Sequence, residues 1–332
     1  MSVKFFSKTY PITIVIIVIV AIISQLPCII YPDKFFISDN YSPVINLLRS
    51  LYNISPIISS AILFICYFVS ILIIHKISTD NLLISKTSLL PPIVFILLFQ
   101  FRLYNPATIA CMLILLSISR LLKIASKETD DSHEVDFFAA GFMVGMATLT
   151  DMQSVIFLAL IIIAIVIMGT VNKIRDMLTI FTGFLLPLTI WLFLEYAFNG
   201  NIDNLFSIIQ PVSANFEIFK GNFTILEYAA IIFYVLLIIY SVGFVLKRLS
   251  SMNVAHRNKY TFFITIMFAS LALVAIFNNP ATFIILALPA LSFLLSYVLA
   301  NTKRIFANIL FYVIAILPII YLILLQYAPE LF

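Results

Sequence analysis

The sequence predicts an all-α fold: a polytopic bundle of transmembrane helices with about eleven spans. Composition is the first reason. Of 332 residues, 63% are hydrophobic and 10% are charged, against about 45–50% apolar and about 25% charged in a soluble domain. A water-soluble fold of this size cannot hide so much apolar surface. The second reason is the shape of the apolar runs. In hydrocarbon only helices and closed barrels satisfy their backbone polar groups. Barrel strands alternate polar and apolar residues over about ten positions, whereas runs such as 12–23 and 155–168 are unbroken. The third reason is the segregation of basic residues described below.

The segments read as spans are 11–31, 54–74, 88–102, 105–122, 136–150, 152–171, 177–197, 225–246, 260–277, 280–299 and 305–326, against a requirement of about 20 residues each. The first is kept as a span. Its apolar run exceeds that of a signal peptide, and Pro27 to Pro32 offers no small-x-small cleavage site. The third and fifth are the shortest. Placing the N-terminus in the cytoplasm puts Lys4, Lys8, Lys76, Lys86, Arg120, Lys123, Lys127, Lys173, Arg175, Lys247, Arg248, Arg257, Lys259, Lys303 and Arg304 inside. Only Lys34, Arg49, Arg102 and Lys220 fall outside. This is the asymmetry of the positive-inside rule. An odd number of spans then puts the C-terminus in the periplasm, and the location expected is an inner membrane. The loops of size on the outer side are 32–53 and 198–224. Within the first, 43–53 reads as a helix lying on the membrane. Val44, Ile45, Leu47, Leu48 and Leu51 form its apolar stripe, opposite Asn46, Arg49 and Ser50.

Several chemistries find no support. His75, His133 and His256 fall on three separate loops, and Cys28, Cys66 and Cys111 lie in apolar segments without CxxC spacing. No metal site is expected from them. Seven glycines and the lack of a Walker or Rossmann pattern speak against an ATP-driven pump. The charges of 123–135 read as a solvated connector. Tyr104 to Thr108 and Asn278 to Thr282 both read Asn-Pro-Ala-Thr at a hairpin, a sharp helix start with Asn as cap and Pro in the first turn.

An ionisable residue at membrane depth is a functional candidate. Here Arg102, Asp151, Glu195 and Glu227 all lie near the outer ends of spans. With Asp39 and Arg49 in the first outer loop, polar chemistry gathers at the outer rim. A carboxylate over an apolar cavity can act as a general base, because desolvation raises its pKa. An arginine can clamp a phosphate. Paired acids could also hold a divalent cation, although no cofactor is fixed by the sequence.

Three stretches resemble the multispan glycosyltransferases that use polyprenyl-phosphate sugars, the superfamily called GT-C. After one span comes an outer loop with an acid, Ser38-Asp39-Asn40-Tyr41, followed by the amphipathic helix. Gly141-Phe142-Met143-Val144-Gly145-Met146-Ala147-Thr148-Leu149-Thr150 resembles the superfamily's GxxxGxAxLT helix, and Asp151 follows it. The span from Asn105, ending near Arg120 and Lys123, resembles its fourth span. The resemblance covers about residues 1–175, a GT-C-like core, with 176–332 as variable C-terminal spans of one transmembrane domain. It implies a polyprenyl-phosphate carrier and membrane lipid as partners. It also implies Asp39 as catalytic base; beside it, the rim residues mark Asp151 as a second catalytic candidate and Arg102, Arg49, Asn105, Glu195 and Glu227 as the candidate substrate-binding set. No nucleic acid is expected. There are departures: Asn40 stands where a second acid is usual, Asp151 where a Lys often follows the LT pair, and the large outer domain that many members carry after the spans is not expected here. The chain is also similar to a group of Bacteroidetes multispan proteins without an assigned reaction. That group shares the Asn105-Pro106 start and the sequence Asp136-Phe137-Phe138-Ala139-Ala140-Gly141-Phe142. A non-catalytic subunit with protein partners in the membrane, and a transporter or flippase, remain open beside the enzyme.

Overall fold

The computed structural model describes residues 3–8, 10–30, 43–85, 88–99, 107–126, 133–168, 173–199, 225–276 and 280–327. Among the described residues the chain is all-helical, without strands. The helices are α1 Val3–Phe6, α2 Pro11–Ile30, α3 Pro43–Ile54, α4 Pro56–Asp80, α5 Leu90–Phe99, α6 Ala107–Ser126 and α7 Glu134–Thr150. After a 3-10 turn, Met152–Val155, come α8 Ile156–Met168, α9 Lys173–Asn199, α10 Ile225–Arg248, α11 Val254–Ile276, α12 Pro280–Asn301 and α13 Arg304–Tyr327. Each of the eleven apolar segments thus carries a helix. Proline opens α2, α3, α4 and α12 and stands at the second and third positions of α5. Its missing N–H is costless in a first turn. At the basic ends the helices run further than the apolar segments, as in α4 to Asp80 and α9 from Lys173. His75 and His256 therefore lie in helices, not loops as the sequence suggested, and His133 caps α7.

Four helices are long and apolar enough to cross a membrane among the described residues: Pro56–Asp80, Ala107–Ile124, Lys173–Ala197 and Ile232–Ser251. Shorter apolar stretches include Pro11–Gln25, Met152–Ile167, Ile285–Asn301 and Arg304–Leu317. The outward surface is apolar as well. On α9, Ile174, Leu178, Ile190 and Phe193 are all more than half exposed. A patch of this kind is tolerated where the solvent is lipid.

The core has two centres joined by one apolar cluster. All ten residues of α5 are buried, enclosed by α2, α4, α12 and α13. The described part of α5 is thus shielded from lipid by its neighbours. Tyr67 of α4 packs on it, with its ring 4.7 Å from that of Phe99. The Tyr234 hydroxyl of α10 donates to the Leu98 carbonyl in its last turn. The second centre is α7, packed between α6 and α9. The Ser117 hydroxyl donates to the Ala140 carbonyl at 3.0 Å, which fits an antiparallel α6/α7 pair. Helices α7 and α9 are parallel, because Gly141 meets Ile180 and Gly145 meets Phe184 in the same register. Their approach is backbone to backbone. A Cβ on Gly141 would overlap the Ile180 carbonyl, and one on Gly183 the Phe138 carbonyl. The glycines that carry the GxxxG pattern are therefore a packing device.

Helix α3 forms as expected, but only part of its stripe is buried. Leu48 and Val44 pack with Leu63 and Ile62 of α4 and Ile109 of α6, while Leu47 is 59% exposed. The same cluster joins the first half of α4 to the first turn of α6, so these two helices start at one end of the bundle. At the other end, Arg120 pairs with Asp136 at 3.1 Å and Arg175 with Glu134 at 3.0 Å, tying α6, α7 and α9. The Tyr260 hydroxyl donates to the Leu83 carbonyl at 2.6 Å. Arg248 donates to the Asn301 carbonyl at 3.3 Å, and the Val3 N–H to Asn308 Oδ1 at 3.0 Å. The described basic residues of the fifteen assigned to one side thus share one end of the bundle.

Candidate functional site

At the end away from the basic face, α7 stops at Thr150 and the chain turns through Met152–Val155 into α8. Asp151 makes this turn. Its backbone is extended, with φ −147° and ψ 112°. Its N–H closes α7 on the Ala147 carbonyl at 2.8 Å, and its carbonyl accepts from the Ser154 N–H at 2.9 Å. Its Oδ1 accepts from the Gln153 N–H at 3.3 Å, capping the 3-10 turn as aspartate commonly does. Thr148 and Thr150 return their hydroxyls to the Val144 and Ala147 carbonyls.

What remains is unusual. Asp151 is 2% exposed, and its Oδ2 has no hydrogen-bond partner. Gln153 Oε1 and Ser154 Oγ, both buried atoms, also lack one. Unsatisfied buried polar atoms are rare because each forfeits its hydration. Here three fall within four consecutive residues. Burial pushes the Asp151 carboxyl up to about 7, against a smaller opposite pull from the Gln153 N–H. At neutral pH such a group both donates and accepts protons, the property a general acid or base requires.

Helix α3 lies beside this turn. Stepping from the Ser117–Ala140 contact along the antiparallel pair puts Ile109 level with about Thr148, and Ile109 belongs to the α3 cluster. Arg49 is half-buried on α3, and Glu195 is half-buried in the last turns of α9. By the α7/α9 register, Glu195 lies about 8 Å further along the axis than the level of Asp151. Asp151, Arg49 and Glu195 therefore occupy the same end. Asp39, Arg102 and Asn105 lie outside the described residues, as do both Asn-Pro turns. Glu227 lies in α10, its side chain outside the described part. No group of three His, Cys, Asp or Glu that could hold a metal occurs among the described residues. Gln153 and Ser154 escaped the sequence reading because a polar residue in a turn ordinarily reads as solvated.

The fold and this turn define an all-α membrane protein with a buried acid at the end opposite its basic face. No protein-family model, curated protein or solved structure matches the chain.

Proposed function

We propose that the chain is a GT-C-like multispan membrane protein that uses a polyprenyl-phosphate-linked sugar at the outer leaflet of an inner membrane. In this reading it has eleven spans, a cytoplasmic N-terminus and a periplasmic C-terminus. The observation that carries the proposal is the Asp151 turn: a buried carboxyl with a free oxygen, beside two unpartnered polar side chains, next to an amphipathic helix at the rim. Asp39 takes the proton of the acceptor hydroxyl as the acceptor oxygen attacks the sugar C1. The bond from C1 to the phosphate oxygen breaks, and the lipid phosphate leaves with its electron pair, held by Arg102 and Arg49. The sugar carbon inverts. Asp151 orients the acceptor through a hydrogen bond, and Glu195, Glu227 and Asn105 line the sugar.

The test replaces Asp39 and Asp151 by Asn in the host cell and follows envelope glycans by mass spectrometry. Loss of a general base lowers transfer by about a hundredfold or more, so one glycan disappears in Asp39→Asn and falls in Asp151→Asn. An unchanged profile in both variants removes the catalytic reading. A second reading, a non-catalytic subunit on the same architecture, is favoured by one observation: Gly141 and Gly145 are fully used in packing α7 on α9. It predicts an unchanged glycan profile and a partner chain that copurifies in fixed proportion.

A further inference from the structure

Lys259 lies in the second turn of α11, where the fold buries it to 5% exposure. A lysine ammonium carries three donors. The hydrogen bond described for it is a long one, 3.5 Å to the Asn81 carbonyl just past α4. The ion pairs among the described residues are Arg120–Asp136 and Arg175–Glu134, and neither involves Lys259. Asp80, next to Asn81 in the chain, is exposed. Buried cations are ordinarily paired, and among the described residues this one has no anion. Two further groups in the same corner lack partners, Asn81 Oδ1 and Ser78 Oγ, in residues 6% and 0% exposed. Ser78 and Asn81 are three apart and share a face. The corner is held in shape by the Tyr260 hydroxyl on the Leu83 carbonyl at 2.6 Å and by Leu82, whose φ of 51° bends the chain away from α4. His256 is close enough to feel the Lys259 charge, which adds to burial in holding its imidazole below the ordinary range. Arg257, two residues before Lys259, is exposed.

We propose that the Lys259–Ser78–Asn81 corner is an anion site that takes a phosphate group bearing a free hydroxyl. Lys259 and Ser78 donate to phosphate oxygens, and Asn81 Oδ1 accepts from the hydroxyl. A glycerol-phosphate lipid headgroup and free hydrogen phosphate share this chemistry. The site lies at the opposite end of the bundle from Asp151 and does not depend on the reading of that turn.

The test uses the full chain in detergent. Native mass spectrometry compares retention of phosphatidylglycerol with that of phosphatidylcholine. Wild type retains the former several-fold better, because the choline headgroup neutralises its own phosphate before Lys259 and has no hydroxyl for Asn81 Oδ1 to accept from. Lys259→Met loses the preference, whereas Lys303→Met, which removes an exposed charge at the same end, keeps it. Thermal unfolding with inorganic phosphate separates the sources. A rise in wild type but not in Lys259→Met assigns free phosphate; with no rise, the retained lipid assigns the headgroup. Equal lipid retention and equal phosphate response in wild type and Lys259→Met overturn the site. Should the variant not fold, acylation of Lys259 on the wild-type chain is followed relative to Lys303. Slowing by phosphatidylglycerol or phosphate is expected, and unchanged rates in both overturn the proposal.

Discussion

Substituting alanine for the glycines between α7 and α9 should break a backbone-to-backbone helix contact. In lipid, helices gain nothing from excluding apolar solvent, so close packing and backbone approach hold them together. A Cβ on Gly145 would sit 2.5 Å from both the Phe184 carbonyl oxygen and Pro187 Cγ, where ordinary contact begins at 3.4 Å. The helices must therefore separate by about 1 Å, and a gap of that size forfeits a quarter to half of each dispersion contact along the seam. On Gly141 and Gly183 the obstacle is backbone, which cannot swing aside. Overpacking typically costs 1–3 kcal/mol, offset in part by about 1 kcal/mol of helix propensity gained by alanine. Each single variant should then lose up to about 2 kcal/mol, and the pair Gly141→Ala and Gly183→Ala more. Gly243→Ala is the control, because nothing lies within 4 Å of its added Cβ; it should gain about 0.5–1 kcal/mol. Reversible unfolding in mixed micelles measures these variants side by side. If Gly141→Ala and Gly183→Ala were as stable as Gly243→Ala, the backbone contact, and with it the parallel α7/α9 register, would be refuted.

Four further outcomes are expected. Because the folded Asp151 carboxyl is raised to about 7 from 3.8, its neutral form stabilises the protein below about pH 4, and that contribution declines as pH rises through about 7. The difference amounts to roughly 4 kcal/mol. Thermal unfolding of Asp151→Asn should lack this decline and exceed wild type at pH 8; parallel curves would count against burial of the charge. Glu134→Ala, which removes a partner from an ion pair with both side chains about half exposed, should cost less than about 1 kcal/mol and less still at high salt; a larger loss in denaturation at two salt concentrations contradicts this. Tyr260→Phe leaves the Leu83 carbonyl unpaired in a buried corner and should cost about 1–3 kcal/mol by the same measurement, with no loss showing that the loop is held otherwise. Leu82→Gly should be neutral or stabilising by up to about 1 kcal/mol, since Leu82 occupies the left-handed region that glycine enters freely; clear destabilisation on unfolding would show that its side chain matters more than its backbone.

Much of this protein is legible in the chain alone. Long apolar runs with prolines at their starts mark helices, since both signals are local and bear on backbone hydrogen bonding. The basic residues at alternate ends of those runs mark one face, and Asp151 marks a turn. Only the tertiary structure decided which apolar faces meet protein and which meet lipid. In a bilayer both environments select the same residues, so Ile174 and Phe193, exposed on α9, are indistinguishable in sequence from the fully buried Phe95 and Leu98 of α5. The parallel pairing of α7 with α9 likewise depends on a partner some forty residues away. The two polar corners follow the same logic. Lys259 and Ser154 carry the residue types of ordinary turns and loops, and only packing of distant helices over them removes their water and leaves their donors and acceptors unmatched.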